Sequence, residues 1–249
     1  MSLPRTKPVL TGARKHLIEA VLARIFEWRD YLGKPGIDPR VLAAIAATPR
    51  ELFVPRRLSS LAYLDQPLDI GSGQRISGPS VIAVMTDLLE LRPHHRVLEV
   101  GTGCGYQTAV LSRLAGAVYT VELLPELAVD AIVRLQRLGH ANIAFRNGDG
   151  AEGWPAHAPF DRIILTAAAR EVPQALFDQL RPGGRLVAPV GPPGPEGQTL
   201  ALYLKDRQGR MAEERVMPVR FVPMVRPRRT APVPASDIII LPRRKAAGR

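Results

Sequence analysis

Residues 97–105, VLEVGTGCG, decide the fold of this chain of 249 residues. The apolar run that ends at Val100 is typical of a buried parallel strand. Gly101, Gly103 and Gly105 then allow a tight turn in which no β-carbon obstructs a ligand. Apolar residues at helical spacing follow in residues 106–115, so the turn is predicted to open a helix whose free amide groups point at that ligand.

The spacing of these glycines indicates which ligand the turn would bind. A dinucleotide fingerprint, GxGxxG, would need its third glycine at position 106, which is occupied by Tyr106. Glu99, just before the turn, would repel a pyrophosphate but can receive an ammonium group. The methionine part of S-adenosylmethionine therefore fits the turn better than NAD does.

Two further acidic residues follow predicted strands. Glu122 ends the strand of residues 117–122 and stands 21 positions beyond Gly101, close to the separation at which Rossmann-type folds place a carboxylate on a ribose diol. Asp149 lies between two glycines after the next strand, where it could accept a hydrogen bond from an adenine amino group. An ordinary surface glutamate and a turn-forming Asp-Gly pair are the alternatives for these two residues.

Strands and helices alternate along the rest of the chain. The predicted helices cover residues 16–32, 39–47, 80–91, 127–138 and 172–180, and the predicted strands cover 97–100, 117–122, 143–145, 160–168 and 185–190. Residues 199–205 and 216–222 are predicted to form an antiparallel pair across Gly209. The predicted fold is α/β, a Rossmann-like doubly wound sheet of about seven strands with an antiparallel closing hairpin and added N-terminal helices.

This pattern divides the chain into three parts. Residues 1–80 are predicted to form N-terminal helices and a substrate loop packed on the main domain, residues 81–225 the S-adenosylmethionine-binding domain, and residues 226–249 a basic extension. Within the first part, residues 55–79 are rich in turn formers and predict an ordered loop. A long loop inside a compact domain tends to carry function, and a plain surface connection is the alternative.

The formal net charge of +11 is concentrated at one end. Residues 226–249 contain seven arginines and lysines against Asp237 alone, which gives that segment +6. A solvated basic tail is the first interpretation, and weak binding to RNA or to acidic lipid surfaces is the alternative. Elsewhere no run interleaves arginines with aromatic residues as a strand-binding groove would, so nucleic acid is not the expected partner.

The composition also bears on the compartment and on metals. Cys104 is the only cysteine, so no internal disulfide can form, and we expect it to be a small filler in the glycine turn. No apolar run reaches the length of a membrane span, and the first residues do not resemble a signal peptide. We expect a cytoplasmic protein. The five histidines show no metal-ligand spacing, so no metal is expected.

Several of these motifs together resemble those of class I S-adenosylmethionine-dependent methyltransferases: VLEVGTGCGYQTAVLSRLAG, the acid at Glu122, NGDG, FDRIILTAAA and LRPGGRLVAPVG. More narrowly, ATPRELFVP, GSGQRISGPSVIAVMTDLLEL and FVPMV resemble the protein-L-isoaspartate O-methyltransferase family over residues 36–225. The resemblance implies esterification of the carboxylate of isoaspartyl residues in damaged proteins and peptides, with D-aspartyl residues accepted by some members. The ester then collapses to a succinimide, which reopens partly as normal aspartate.

The resemblance also implies roles for individual residues. It makes Ser77 the active-site hydroxyl. It places the remaining residues at the cofactor: Gln74, Arg75 and Ile76 beside its reacting end and the substrate carboxylate, Gly101, Thr102 and Gly103 at the methionine moiety, Glu122 at the ribose, and Asp149 and Gly150 at the adenine. Glu99 completes the predicted cofactor site through the ammonium group.

Three residues depart from the family pattern. Arg75 stands where the family usually has threonine, Gly78 replaces glutamine or alanine, and Asp69 replaces a common proline; the threonine that some members have near Val225 is also absent. Arg75 could clamp a carboxylate or face solvent. The departures concern the substrate more than the cofactor, so a diverged carboxyl methyltransferase for another peptide aspartate or small acid is an alternative. An RNA methyltransferase is a weaker one that rests on the basic tail.

Overall fold

A computed structural model describes residues 12–192, 197–226 and 236–240. Its strands are β1 (Leu68–Gly71), β2 (Gln74–Ile76), β3 (Arg96–Val100), β4 (Ala117–Glu122), β5 (Ile143–Asn147), β6 (Phe160–Leu165), β7 (Leu180–Val190), β8 (Gln198–Lys205), β9 (Met211–Val219) and β10 (Ser236–Ile240). Its α-helices are α1 (Gly12–Glu27), α2 (Arg29–Leu32), α3 (Pro39–Ala46), α4 (Pro79–Leu88), α5 (Tyr106–Leu114), α6 (Pro125–Arg137) and α7 (Gln174–Gln179).

The main sheet has the order β10-β5-β4-β3-β6-β7-β8-β9. β3 to β7 are parallel, whereas β8 and β9 form an antiparallel meander on β7. From β3 the chain moves outward to β4 and β5, then returns to the other side of β3 with β6. This reversal makes the carboxyl end of β3 the topological switch point, where open α/β sheets bind ligands. The predicted doubly wound sheet with a closing hairpin is confirmed.

The strand β10 was not predicted. Its backbone pairs antiparallel with β5, and Ser236 stands opposite Asn147. Without β10, β5 would be an edge strand with unpaired amide and carbonyl groups. A later segment of almost any sequence can pair with such groups, so its own pattern does not indicate the pairing. Of the basic residues in the predicted extension, Arg226 is described by the structure, and the rest lie outside the described residues.

The N-terminal helices form a layer against α4 and α5. α1 buries Leu17, Val21 and Ile25, the residues that gave it its helical spacing. The predicted continuous helix of residues 16–32 is interrupted at Trp28, so that a short α2 follows α1. α3 begins as predicted, because the Asp38 side chain accepts a hydrogen bond from the amide of Arg40 at 2.8 Å.

Residues 55–79 are ordered, as predicted, but they are not a plain loop. A short 3-10 helix, Arg56–Leu61, leads into a hairpin of β1 and β2, here called the cleft hairpin (residues 68–76). Its tip combines Gly71, Ser72 and Gly73, all with positive φ. The strands have four and three residues, too few for their alternation to stand out from the turn formers around them.

Candidate active site

A cleft opens at the carboxyl ends of β3, β4 and β6, and the cleft hairpin forms one of its walls. Its free space is about 900 Å³, including the solvent at its mouth. Nine of the eleven predicted site residues line it: Gln74, Arg75, Ile76, Ser77, Gly101, Thr102, Gly103, Glu122 and Gly150. Glu99 and Asp149 are the two that do not.

The glycine turn forms the floor of the cleft. Gly101, Gly103 and Gly105 have φ values of 98°, 54° and 86°, which only glycine adopts readily, and α5 begins directly after them. A Cβ built on Gly101 would lie 2.4 Å from Thr166 Oγ1. The turn therefore needs glycine both for its backbone conformation and for the close approach of β6.

Glu122 is held rigidly beside this turn. Its Oε2 accepts a hydrogen bond from the amide of Gly103 at 2.7 Å, and its Oε1 accepts one from the amide of Leu124 at 3.0 Å. Burial raises the pKa of the carboxyl, and the backbone hydrogen bonds oppose that shift. Each carboxylate oxygen has two lone pairs, so Glu122 can still accept hydrogen bonds from a diol in the cleft.

Glu99 is not where the sequence prediction puts it. Its carboxylate lies beneath the turn, fully buried, where Oε2 accepts hydrogen bonds from Thr108 Oγ1 at 2.5 Å and Thr120 Oγ1 at 2.7 Å. Burial raises its pKa to about 8. The prediction that Glu99 meets a ligand's ammonium group directly is therefore unsupported. Hydrogen bonds connect Glu99 to the cleft indirectly: Thr120 donates to Glu99, and the hydroxyls of Thr120 and Thr102 are 2.6 Å apart.

Of the two residues predicted to contact adenine, Gly150 lines the cleft and Asp149 does not. A Cβ built on Gly150 would lie 2.4 Å from Val100 Cγ1. The Asp149 side chain accepts a hydrogen bond from the amide of Ala151 at 2.9 Å and so caps a short 3-10 helix. The turn role considered for Asp149 is therefore present, and its contact with adenine stays a prediction.

The cleft hairpin and Ser77, the residue directly after it, bring four predicted residues to the wall opposite the glycine turn. Gln74, Arg75, Ile76 and Ser77 all line the cleft; Ile76 is buried, whereas Arg75 is exposed. The only hydrogen bond that the Arg75 side chain makes to the described residues goes to the carbonyl of Pro67, at 3.2 Å. Ser77 and Arg75 therefore both lie along the same cleft.

Arg50 supports this wall from behind, a role that no sequence pattern indicated. Its side chain is fully buried and donates to the carbonyls of Ala62, Gln66 and Ser77 at 3.4, 3.1 and 3.0 Å. No carboxylate of the described residues lies within ion-pair distance, and its guanidinium sits 5.7 Å from the ring centre of Tyr106. The quoted motif ATPRELFVP contains Arg50, but a single arginine has no spacing that indicates such a role.

The remaining wall comes from two segments far apart in sequence. Thr166, the residue directly after β6, donates through Oγ1 to the carbonyl of Gly101 at 2.5 Å. Residues 221–225, the FVPMV motif, also line the cleft, because Ala168 donates to the carbonyl of Val222 and accepts from the amide of Met224 at 2.8 and 2.7 Å. Only the resemblance, not a local pattern, indicated the role of residues 221–225.

The titratable groups of the cleft limit its chemistry. Among its lining residues in the described part of the chain there is no histidine or lysine, and Glu122 is the only carboxylate. Residues 12–192, 197–226 and 236–240 contain no group of three histidine, cysteine, aspartate or glutamate side chains that could hold a metal ion.

Of the helices in these ranges, none combines the length and apolar character needed to cross a bilayer.

Residues 30–229 match the family model described as Protein-L-isoaspartate(D-aspartate) O-methyltransferase. The chain belongs to this family. Curated family members include Protein-L-isoaspartate O-methyltransferase of Anaeromyxobacter dehalogenans, 56% identical over 80% of this chain and 95% of that protein. Protein-L-isoaspartate O-methyltransferase 2 of Polaromonas sp. is 47% identical over 84% of this chain and 98% of its own length.

Solved structures agree with this assignment. A protein-L-isoaspartate O-methyltransferase aligns with a TM-score of 0.72 and 29% identity, covering 84% of this chain and 65% of that longer chain. A second structure, from Plasmodium falciparum and determined with S-adenosyl-L-homocysteine, aligns with a TM-score of 0.71, covering 86% of this chain and 99% of that one. At 22% identity, the second structure supports the fold alone.

As a protein-L-isoaspartate O-methyltransferase family member, the chain is an S-adenosylmethionine-dependent methyltransferase. The cleft fits that cofactor. Gly101 and Gly150 line the cleft, and β-carbons at these positions would clash with Thr166 and Val100, so the shape of the floor depends on glycine at both. Glu122 offers a fixed carboxylate for a diol, and Leu123 and Leu124 beside it offer an apolar surface for an aromatic base.

Proposed function

We propose that this cleft methylates the carboxylate of L-isoaspartyl residues in damaged proteins and peptides, the first step of their repair. One observation carries the proposal. The glycine turn and the Ser77-bearing wall face the same cleft, and a Cβ built on Gly103 would lie 3.5 Å from Ile70 of the cleft hairpin. A methyl donor on the turn and an acid against the hairpin would therefore meet in one confined space.

The absence of a histidine or lysine among the lining residues of the described chain is consistent with this chemistry. A carboxyl group with an unperturbed pKa of about 4 is already ionised at neutral pH, so it is a competent nucleophile without proton removal. A histidine or lysine is needed in many transferases to activate a hydroxyl or amine. Here the residues need to hold and align the acid.

When bound, S-adenosylmethionine supplies a methyl group carried on a positively charged sulfur. The carboxylate loses its charge as it becomes an ester, so walls that exclude water favour the change. Ile76, Ile82, Met85 and Phe221 give the cleft that apolar character. Alignment of the carboxylate oxygen is the remaining requirement, and Ser77 is the hydroxyl we assign to it.

The other predicted residues receive roles on the cofactor side. We assign the methionine moiety to Gly101, Thr102 and Gly103, the ribose to Glu122 and the adenine to Gly150. Gln74 and Ile76 complete the reacting end. Glu99 acts one layer below, through the hydroxyls of Thr120 and Thr102, rather than by direct contact.

The test is methyl transfer to paired peptides. The purified protein is incubated with methyl-labelled cofactor and peptides that differ only in an aspartyl or an isoaspartyl residue. We expect label on the isoaspartyl peptide alone, released by mild base as methanol. Label on neither peptide, or equally on both, would overturn the proposal.

A second candidate function has one observation in its favour. Arg75 lines the cleft and is exposed, and its positive charge suits another acidic substrate as well. Small dicarboxylic acids and total RNA in the same assay distinguish these cases. Base-labile label on a small acid, without label on the isoaspartyl peptide, would favour the diverged carboxyl methyltransferase.

A further inference from the structure

Arg75 and Asp69 stand opposite each other in the cleft hairpin but do not form an ion pair. They are direct cross-strand partners in the register of β1 and β2. The Asp69 carboxylate instead accepts a hydrogen bond from the amide of Gly71 at 2.7 Å and lies 3.5 Å from Arg57 Nη2. Among the described residues, the Arg75 side chain makes one hydrogen bond, to the carbonyl of Pro67. Its positive charge therefore has no carboxylate partner among the described residues.

The unpaired charge lies at a defined place relative to the reaction site. Arg75 lines the cleft, is exposed, and precedes Ser77 by two residues. One residue separates Arg75 from Ser77, so their Cα atoms are at most about 7 Å apart. In a polypeptide whose isoaspartyl carboxylate lies at Ser77, the residues one or two positions from the isoaspartyl residue would lie near Arg75.

The reacting carboxylate itself is a poor partner for this guanidinium. Methyl transfer removes the charge of that carboxylate, so an arginine bound to it would stabilise the starting acid more than the transition state. Such binding would slow the reaction. A neighbouring acidic side chain keeps its charge throughout, and its ion pair with Arg75 would lower KM without that penalty.

The opposite wall has the same sign of charge. Arg220 and Arg226 flank the lining segment 221–225, both are exposed, and neither lies within ion-pair distance of a carboxylate in the described part of the chain. In the part of the chain that the structure describes, the only acidic lining residue is Glu122, which is buried beside the glycine turn. Arg75 and these two arginines are therefore exposed positive charges in or next to the lining segments, and together they attract acidic segments.

We propose that Arg75 determines substrate specificity by binding an acidic side chain one or two residues from the isoaspartyl residue. The enzyme would then prefer isoaspartyl sites in acidic stretches of polypeptide. This inference rests on the proposed function, and its test separates the failure of one from the failure of the other.

The test uses three isoaspartyl peptides whose two residues on each side are alanine, glutamate or lysine. We expect the wild-type enzyme to have a KM about threefold to tenfold lower for the glutamate peptide than for the alanine peptide. The lysine peptide should bind least well. The preference should shrink at high salt, because exposed charges are screened. In Arg75→Thr the ratio of kcat/KM between glutamate and alanine peptides should approach one, and Arg75→Lys should retain part of it.

Arg56→Thr is the matched control. Arg56 is an exposed arginine of the neighbouring 3-10 helix that does not line the cleft, so its loss changes the net charge equally. It should leave the ratio as in the wild type. An equal loss with all three peptides in Arg75→Thr, or an equal change of ratio in Arg56→Thr, would overturn the inference alone. If the wild type methylates none of the peptides, the proposed function fails, and the inference with it.

Discussion

The guanidinium of Arg50 donates a hydrogen bond to the carbonyl oxygen of Ser77 at 3.0 Å, from a position 27 residues earlier in the chain. The same fully buried side chain also holds the carbonyls of Ala62 and Gln66. One cation therefore fixes both ends of the segment that carries the cleft hairpin. The position of the predicted catalytic hydroxyl depends on it.

Replacing Arg50 by methionine should reduce both stability and turnover. The substitution leaves three carbonyls without their donor, so we expect the free energy of unfolding to fall by about 2 to 4 kcal/mol, as measured by urea denaturation. In the variant that remains folded, kcat should fall more than cofactor affinity, because the displaced group is Ser77. Arg50→Lys keeps the charge but reaches fewer carbonyls and should be intermediate. A methionine variant with wild-type stability and kcat would contradict this role.

Replacing Ser77 by alanine should slow methyl transfer while cofactor binding persists. Loss of an aligning hydroxyl typically reduces the rate by about 10- to 100-fold, and Ser77 lies on the wall opposite the glycine turn. Single-turnover rates and calorimetric cofactor affinity measure the two effects separately. Ser72→Ala is the control, since Ser72 lies at the hairpin tip and bonds Glu126 outside the cleft. Equal losses of rate and affinity in Ser77→Ala would refute the assignment.

Local patterns were sufficient for the elements that form the floor of the cleft. The strand before Gly101, the helix after Gly105 and the position of Glu122 all follow from short-range periodicity and from the geometry of one strand–helix–strand unit. The structure confirms these elements. Because each depends on residues close in sequence, a single sequence contains the whole signal.

The substrate half depends on contacts between distant segments. Three contacts join distant parts of the chain. Buried Arg50 donates to the carbonyl of Ser77, residues 221–225 are held against the cleft by Ala168, and β10 pairs with β5. Periodicity carries no information on such contacts. Glu99 shows the same limit, because its place beneath the turn is set by Thr108 and Thr120 rather than by its spacing.

Glu99 should make the protein less stable as the pH rises. Burial raises its pKa to about 8, against about 4.5 for an unperturbed glutamic acid. The folded protein therefore holds this proton more tightly than the unfolded chain. The contribution to stability is complete below about pH 4.5 and is lost as the pH rises to about 8, with a slope of at most about 1.4 kcal/mol per pH unit.

Glu99→Gln should flatten this dependence. Urea denaturation at pH 5, 6, 7 and 8 should show a smaller fall in the free energy of unfolding for the variant than for the wild type. Some fall should persist, because burial also raises the pKa of Glu122. Glu214→Gln, at an exposed residue of β9, should behave as the wild type. If Glu99→Gln follows the wild-type curve over the whole range, Glu99 is not a titrating buried acid.

Gly101→Ala should abolish cofactor binding, whereas Gly139→Ala should not. Both glycines have positive φ, 98° and 77°, so both substitutions strain the backbone by about 1 kcal/mol. Their surroundings differ, because a Cβ at Gly101 would meet Thr166 Oγ1 at 2.4 Å, whereas nothing lies within 4 Å at Gly139. The clash must move either the turn or the end of β6, and both line the cleft. Calorimetry should therefore detect binding in Gly139→Ala but not in Gly101→Ala, and wild-type affinity in Gly101→Ala would show that the turn does not hold the cofactor.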